Sequence, residues 1–214
     1  MIGIRTKLSL GFLGLLLILM LVGVRNILLL NELGGSIDLI LRENYRSVIA
    51  CQDMKEALER IDSGLLYSLL DHQPEGKALV KRNLEVFAEA LHVQLNNITL
   101  PEEDQKSSRI ENLFNDYVLV TKAVLDQDSD LEKRRNIYFA DSVSLFREIK
   151  FTADEILHMN QAKMSKSSHD AGMKVAEARN TMIGLIGLGL LVASGFMILV
   201  GKWILRPISS LTNA

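Results

Sequence analysis

Two long apolar runs frame this chain, and the residues between them keep a helical period throughout. The first run, Leu8 to Val24, is 17 residues long and lies between Lys7 and Arg25. A bilayer's hydrocarbon core takes roughly 20 helical residues at about 1.5 Å each, so the run sits at the short end of what can cross. A cleaved secretory leader has a similar outline, with Arg5 and Lys7 as its basic front. No small-x-small cleavage site follows, because the chain continues Arg25-Asn26-Ile27-Leu28-Leu29-Leu30. The run therefore reads as an uncleaved span. The second run, Met182 to Gly201, contains no charge and five glycines, Gly184, Gly187, Gly189, Gly195 and Gly201. Gly189 and Ala193 form one small-xxx-small pair of the kind that lets helices approach closely in lipid. Lys202, Trp203 and Arg206 follow, an interfacial anchor of aromatic and basic residues.

Between the runs the spacing predicts four helices. Leu30, Leu33, Ile37, Ile40, Asn44, Ser47, Cys51, Met54, Leu58, Ile61 and Leu65 alternate intervals of three and four, the seam of a bundle helix or coiled coil. No proline interrupts it, so the first span is expected to run directly into this helix, with Gly34-Gly35 as a place to bend. The segment 71–76, with Pro74 and Gly76, is expected to break it. A second helix is predicted from Glu75 to about Asn97, with Val80, Leu84, Phe87, Leu91 and Leu95 on one face. Thr99 is expected to cap a third helix, with Pro101 and Glu102 in its first turn and Ile110, Leu113, Tyr117, Val120 and Val124 on its apolar face. A polar turn at 126–130 leads to a fourth helix from Leu131 towards the second run. Its expected seam is Leu157, Gln161, Met164, Ser168, Ala171, Val175, Ala178 and Met182. Small and polar seam residues suit either a helix that shifts or neighbours that pack closely. No strand alternation appears. The pattern predicts an all-α chain: an up-down-up-down four-helix bundle flanked by two transmembrane helices.

Composition fits that picture. The chain of 214 residues is 48% hydrophobic but only 6% aromatic, as long aliphatic helices would be. Charge then sets an expected topology. The flanks outside 25–181 hold four of the 24 Lys and Arg residues and none of the 26 Asp and Glu. The 20 basic and 26 acidic residues that remain give the middle segment a net charge of −6. Basic residues favour the cytoplasmic side, so both ends are expected inside and the middle outside, in a Gram-negative cell the periplasm. The expected organisation is a cytoplasmic tip and first span over 1–25, an external sensor over 26–181, a second span over 182–204, and a linker from 205. The predicted location is the bacterial inner membrane, with the lipid bilayer as a partner. A net charge of −2 for the whole chain gives no sign of nucleic-acid binding.

No catalytic signature is present. His72, His92, His158 and His169 are isolated, and none falls in a metal-binding pair. The single cysteine, Cys51, rules out an intrachain disulfide framework and a Cys-rich metal site. No catalytic residue, metal site or cofactor is expected, so this chain is not read as an enzyme by itself. The first helix carries the richest set of polar groups. Asn44 and Ser47 occupy seam positions, where a buried polar group needs a partner. Asn44, Tyr45, Arg46, Lys55 and Arg60 are candidate ligand-binding residues, with Arg46 or Arg60 positioned for an anion. In a purely structural reading, Asn44 sets helix register, while Lys55/Glu59 and Glu56/Arg60 form i,i+4 pairs on a solvated face.

These residues also carry a family resemblance. The segment Glu43 to Val48 followed by Met54 to Ser63 resembles the first helix of the KinB-type sensor domain of bacterial sensor histidine kinases. Asn160-Gln161-Ala162-Lys163-Met164 is similar to the membrane-proximal part of its last helix. Ile204-Leu205-Arg206-Pro207-Ile208-Ser209-Ser210-Leu211 resembles the opening of a HAMP domain, with Pro207 in the place of its characteristic proline. The resemblance implies a parallel homodimer, a HAMP linker beginning at 205 and cut short at Ala214, and Arg206 and Pro207 as signal-transmitting residues. Beyond it the family implies a cytoplasmic kinase that autophosphorylates with ATP and passes the phosphoryl group to a cognate response regulator. The stimulus is an unknown small molecule or partner protein. A chemotaxis transducer of similar layout is the alternative reading.

Overall fold

The computed structural model describes residues 4–39, 43–70, 72–200 and 202, and among them all regular structure is helical. The elements are α1 (Ile4–Leu39), α2 (Tyr45–Leu69), α3 (Gln73–Leu95), α4 (Glu103–Leu125), α5 (Leu131–Ile137), a π turn (Tyr138–Ser142) and α6 (Val143–Val200). α5, the π turn and α6 follow one another without a gap, so the predicted fourth helix is one rod containing a π turn. The chain divides into two compact units. Met1–Ile37 with Ser168–Ala214 makes one and Asp38–Ser167 the other.

Among the described residues, two helices are long and apolar enough to cross a membrane: Ser9–Leu29 within α1, and the rod Leu131–Val200. α1 stays helical through Gly34 and Gly35. The predicted continuation of α1 into α2 crosses 40–42, which lie outside the described residues, as do Trp203, Arg206, Pro207 and the rest of the HAMP-like segment. α1 and α6 meet at Gly11, where an added Cβ would lie 2.1 Å from the Phe196 ring. Phe12 sits edge-on to the same ring with centroids 5.9 Å apart.

The second unit buries the predicted seams. Cys51, Met54, Leu58, Ile61 and Leu65 of α2 are fully buried, and so are Phe87, Ile110, Tyr117 and Val124 of α3 and α4. Phe87 and Phe114 stack with centroids 4.0 Å apart at the centre. Each such side chain contributes roughly 1.5–3 kcal/mol of transfer free energy. The expected seam of the last helix holds in part: Leu157 is buried and Met164 packs against the core. Ile149, Ala153, Ile156 and Asn160 face the core, while Gln161 is exposed.

Two polar side chains close helix termini near the turn at 126–130. Asp130 accepts a hydrogen bond from the Glu132 amide at the start of α5. Arg134 is buried, donating from Nε to the Val124 carbonyl at 2.7 Å and from Nη2 to the Ser68 carbonyl at 3.2 Å. It thereby caps the last turns of α4 and α2 with a cation, which suits the negative end of a helix. Thr99 is not the cap of α4. Pro101 and Glu102 form a turn in which Glu102 has φ 68°, and the helix begins at Glu103.

α2 and α3 approach most closely where two glycines face one another. Gly76 lies inside the first turn of α3 rather than in the predicted break. A Cβ there would fall 2.5 Å from the Gly64 carbonyl oxygen and 2.8 Å from the Ser68 amide nitrogen. Gly76→Ala is expected to push the two backbones apart and cost about 1–3 kcal/mol, read by chemical denaturation of the chain. An unchanged midpoint would mean that this contact does not constrain the packing.

Candidate functional site

The residues with the most unusual surroundings sit at the end of the second unit where its chain enters and leaves. Glu103, the first residue of α4, is fully buried. Its Oε1 accepts from Gln94 Nε2 and Asn160 Nδ2, each at 2.9 Å. Its Oε2 accepts from the Thr99 and Leu100 amides at 2.8 and 2.9 Å. The carboxylate thus reaches back to satisfy free N–H groups ahead of its own helix, while two side-chain amides close over it from α3 and α6. Burial opposes its charge, but hydrogen bonds from Thr99, Asn160, Gln94 and Leu100 outweigh burial and hold the carboxyl below its usual range. Asp62 shows the opposite balance. Burial raises its pKa, although it accepts a 2.8 Å hydrogen bond from the Tyr138 hydroxyl.

The same turn grips the start of the first bundle helix. Asn97 Nδ2 donates to the Glu43 carbonyl at 2.7 Å and to Ser47 Oγ at 2.9 Å. Thr99 Oγ1 donates to Asn44 Oδ1 at 3.1 Å. The segment between α3 and α4 is therefore tied on one side to residues 43–47 and on the other, through Glu103, to α6. Asn44 and Ser47 find the partners their seam positions call for inside this cluster. Cys51 lies at its edge, fully buried, with Sγ 3.9 Å from Gln94 Oε1. Burial, with Glu103 and Asp154 nearby, pushes its thiol up to about 12, so it is an inert packing group.

The five candidate ligand residues separate into three places. Asn44 is buried in the cluster. Tyr45 and Arg46 line an open groove between α2 and α3, with Ile49, Asp53, Val86 and Glu89, of about 520 Å³. Arg60 lines a second groove of about 270 Å³ with Asp53, Glu56, Arg82 and Asn83, and the two grooves share Asp53 and Val86. Arg60 also pairs with Glu56 at 2.7 Å, the expected i,i+4 bridge. Lys55 points the other way, to an ion pair with Asp154 of α6. Its expected partner Glu59 bonds instead to Lys150 of α6 at 2.6 Å. Tyr45, Arg46 and Arg60 thus border one surface that mixes both signs of charge, whereas Lys55 belongs to the α2–α6 contact. Among the described residues no cluster of His, Cys, Asp and Glu could hold a metal ion.

Glu103, Gln94, Asn97 and Asn160 were not singled out from the sequence as site residues. The available signal was a polar residue on an apolar period, since Asn160 continues the spacing of Ile149, Ala153 and Ile156.

Glu103→Gln replaces an acceptor of four hydrogen bonds with a group that carries its own donors. It is expected to cost about 1–3 kcal/mol at neutral pH. Because the folded-state pKa of Glu103 is depressed, its contribution is present above the unfolded value of about 4.3 and is lost as pH falls through the lower folded value. Wild-type stability should therefore drop on acidification below about pH 4.3, and the variant should drop less, as followed by circular dichroism. Parallel pH profiles would remove Glu103 from this account.

Compared with known proteins, this chain matches no family model, no curated protein and no solved structure.

Proposed function

We propose that this chain is the extracytoplasmic sensor and membrane-spanning part of a signalling receptor, a homodimer whose four-helix bundle stands between two transmembrane helices. In this reading it belongs to a sensor histidine kinase of the inner membrane, and Arg206 and Pro207 pass the signal to a HAMP linker. The observation that carries it is the Glu103 cluster. Residues 43–47, which follow the first apolar run in sequence, and Asn160, on the helix that leads into the second, are hydrogen-bonded to the same short turn. A change in that turn therefore acts on both connections at once.

A stimulus bound at the α2–α3 grooves would alter the spacing of α2 against α3, and Asn97 and Thr99 would carry the change to Glu103 and Asn160. Such coupling needs only a differential of about 1–3 kcal/mol between two helix arrangements. Enzymatic activity is assigned to cytoplasmic domains beyond this chain.

Two measurements test this. Alkaline phosphatase fused after Asp130 should be active, and fused after Ala214 inactive; the reverse pattern would refute the topology. In a chimera that places residues 1–214 ahead of a cytoplasmic kinase of known output, Asn160→Leu should shift the output by about 5-fold or more, the lower end of typical couplings. A folded Asn160→Leu sensor with wild-type output would sink the role given to the cluster.

A further inference from the structure

Among the described residues, every interhelical ion pair of the second unit involves α6. None joins α2 to α3, although both signs of charge line the grooves between them. In the smaller groove, of about 270 Å³, Glu56 and Arg60 are already joined to one another at 2.7 Å. That leaves one carboxylate, Asp53 of α2, and one guanidinium, Arg82 of α3, whose side chains make no ion pair or hydrogen bond among the described residues. Asn83 lines the same groove and is only 5% exposed. Its Nδ2 donates to the Leu79 carbonyl at 2.7 Å, which fixes the amide and leaves Oδ1 as an acceptor. The adjoining groove, of about 520 Å³, shares Asp53 and Val86 and is mainly apolar, through Ile49, Val86, Ala90 and Val93. Its other charges, Arg46 and Glu89, balance one another. One acid and one base therefore stand unpaired at the polar end of a groove that continues into an apolar trough.

We propose that the α2–α3 grooves bind a free α-amino acid with an apolar side chain. The inference rests on the reading of this chain as a sensor and names the chemical class of its stimulus. The ligand's ammonium donates to the Asp53 carboxylate and to Asn83 Oδ1. Its carboxylate accepts two N–H groups of Arg82, the bidentate pairing that a guanidinium favours. Its side chain lies against Ile49, Val86 and Val93. The charge balance selects against simpler ions. An amine without a carboxylate leaves Arg82 unpaired, and an acid without an ammonium leaves Asp53 facing an added negative charge. Arg60 keeps Glu56 as its partner throughout, so it shapes the wall of the site without binding the ligand.

The test is isothermal titration calorimetry of the full chain in detergent micelles. The probes are L-leucine, L-phenylalanine, and two leucine analogues that each lack one charge, N-acetyl-L-leucine and isopentylamine. At least one of the two amino acids should bind saturably, and the analogues about tenfold more weakly or worse. Arg82→Gln and Asp53→Asn, both at exposed positions, should each lower amino-acid affinity by a similar factor while leaving helical circular dichroism unchanged. Absence of saturable binding by both amino acids to the folded chain would overturn the site. Equal binding of leucine and N-acetyl-L-leucine, or unchanged affinity in both variants, would overturn it as well. The kinase chimera separates this site from the reading beneath it. Saturable binding with no change in output would leave the site standing and refute the sensor. A chimera that responds to Asn160→Leu, while neither amino acid binds, would refute the site and leave the sensor standing.

Discussion

A carboxylate buried among neutral partners is the constraint around which the helical unit is arranged. Removing Glu103 from water costs several kcal/mol unless its lone pairs are filled. Four donors fill them: two backbone amides of the turn that precedes it and the amide groups of Gln94 and Asn160. The conformation of the turn follows from this demand. Glu102 accepts a left-handed φ of 68° in the turn ahead of a carboxylate that folds back onto the Thr99 and Leu100 amides. Asp62, with one side-chain donor, shows what happens without such a set, since burial then prevails and its pKa rises.

α4 is matched in charge at both ends. The carboxylate of Glu103 lies at its positive N-terminus, and the guanidinium of Arg134 closes its C-terminus through the Val124 carbonyl. The outer contacts of α6 are of another kind. Lys55–Asp154 and Lys150–Glu59 join it to α2, and Lys106–Glu155 and Arg109–Glu148 join it to α4. These pairs are partly exposed, and each contributes about 0–1 kcal/mol. α6 is therefore held by its apolar seam and by Asn160, with a ring of weak and exchangeable ion pairs outside. A helix held in this way can change position at modest cost, provided the hydrogen bond from Asn160 to Glu103 is kept or replaced.

The proposed sensing mechanism uses that arrangement. The grooves beside Arg46 and Arg60 open on the face of α2 turned towards α3, opposite its contact with α6. In that proposal, ligand at that face would act on α2 and α3 without competing with the α6 ion pairs. The polar turn between α3 and α4 links the α2–α3 face to α6 through Glu103 and Asn160. Gly64 and Gly76 give α2 and α3 little room to move independently at their other ends, so displacement is expected to concentrate where the Glu103 cluster lies.

Hydrophobic periodicity alone determined the all-helical character, the two apolar runs and the inward faces of α2, α3 and α4. Burial of one face at a period near 3.6 is a local property, and Cys51, Met54, Leu58, Ile61 and Leu65 express it directly. The phase of α6 was less legible. Small and polar residues blur its stripe beyond Leu157, so Gln161 read as well as Asn160 did. Tertiary structure alone decided which polar residues meet. Glu103, Gln94, Asn97 and Asn160 are scattered over 67 positions of the chain, and only Asn160 continues an apolar period. It also decided that Lys55 crosses to Asp154 rather than pairing along its own helix. Ion pairs and hydrogen bonds depend on distances of a few ångströms between elements, and those distances exist only once the helices have packed.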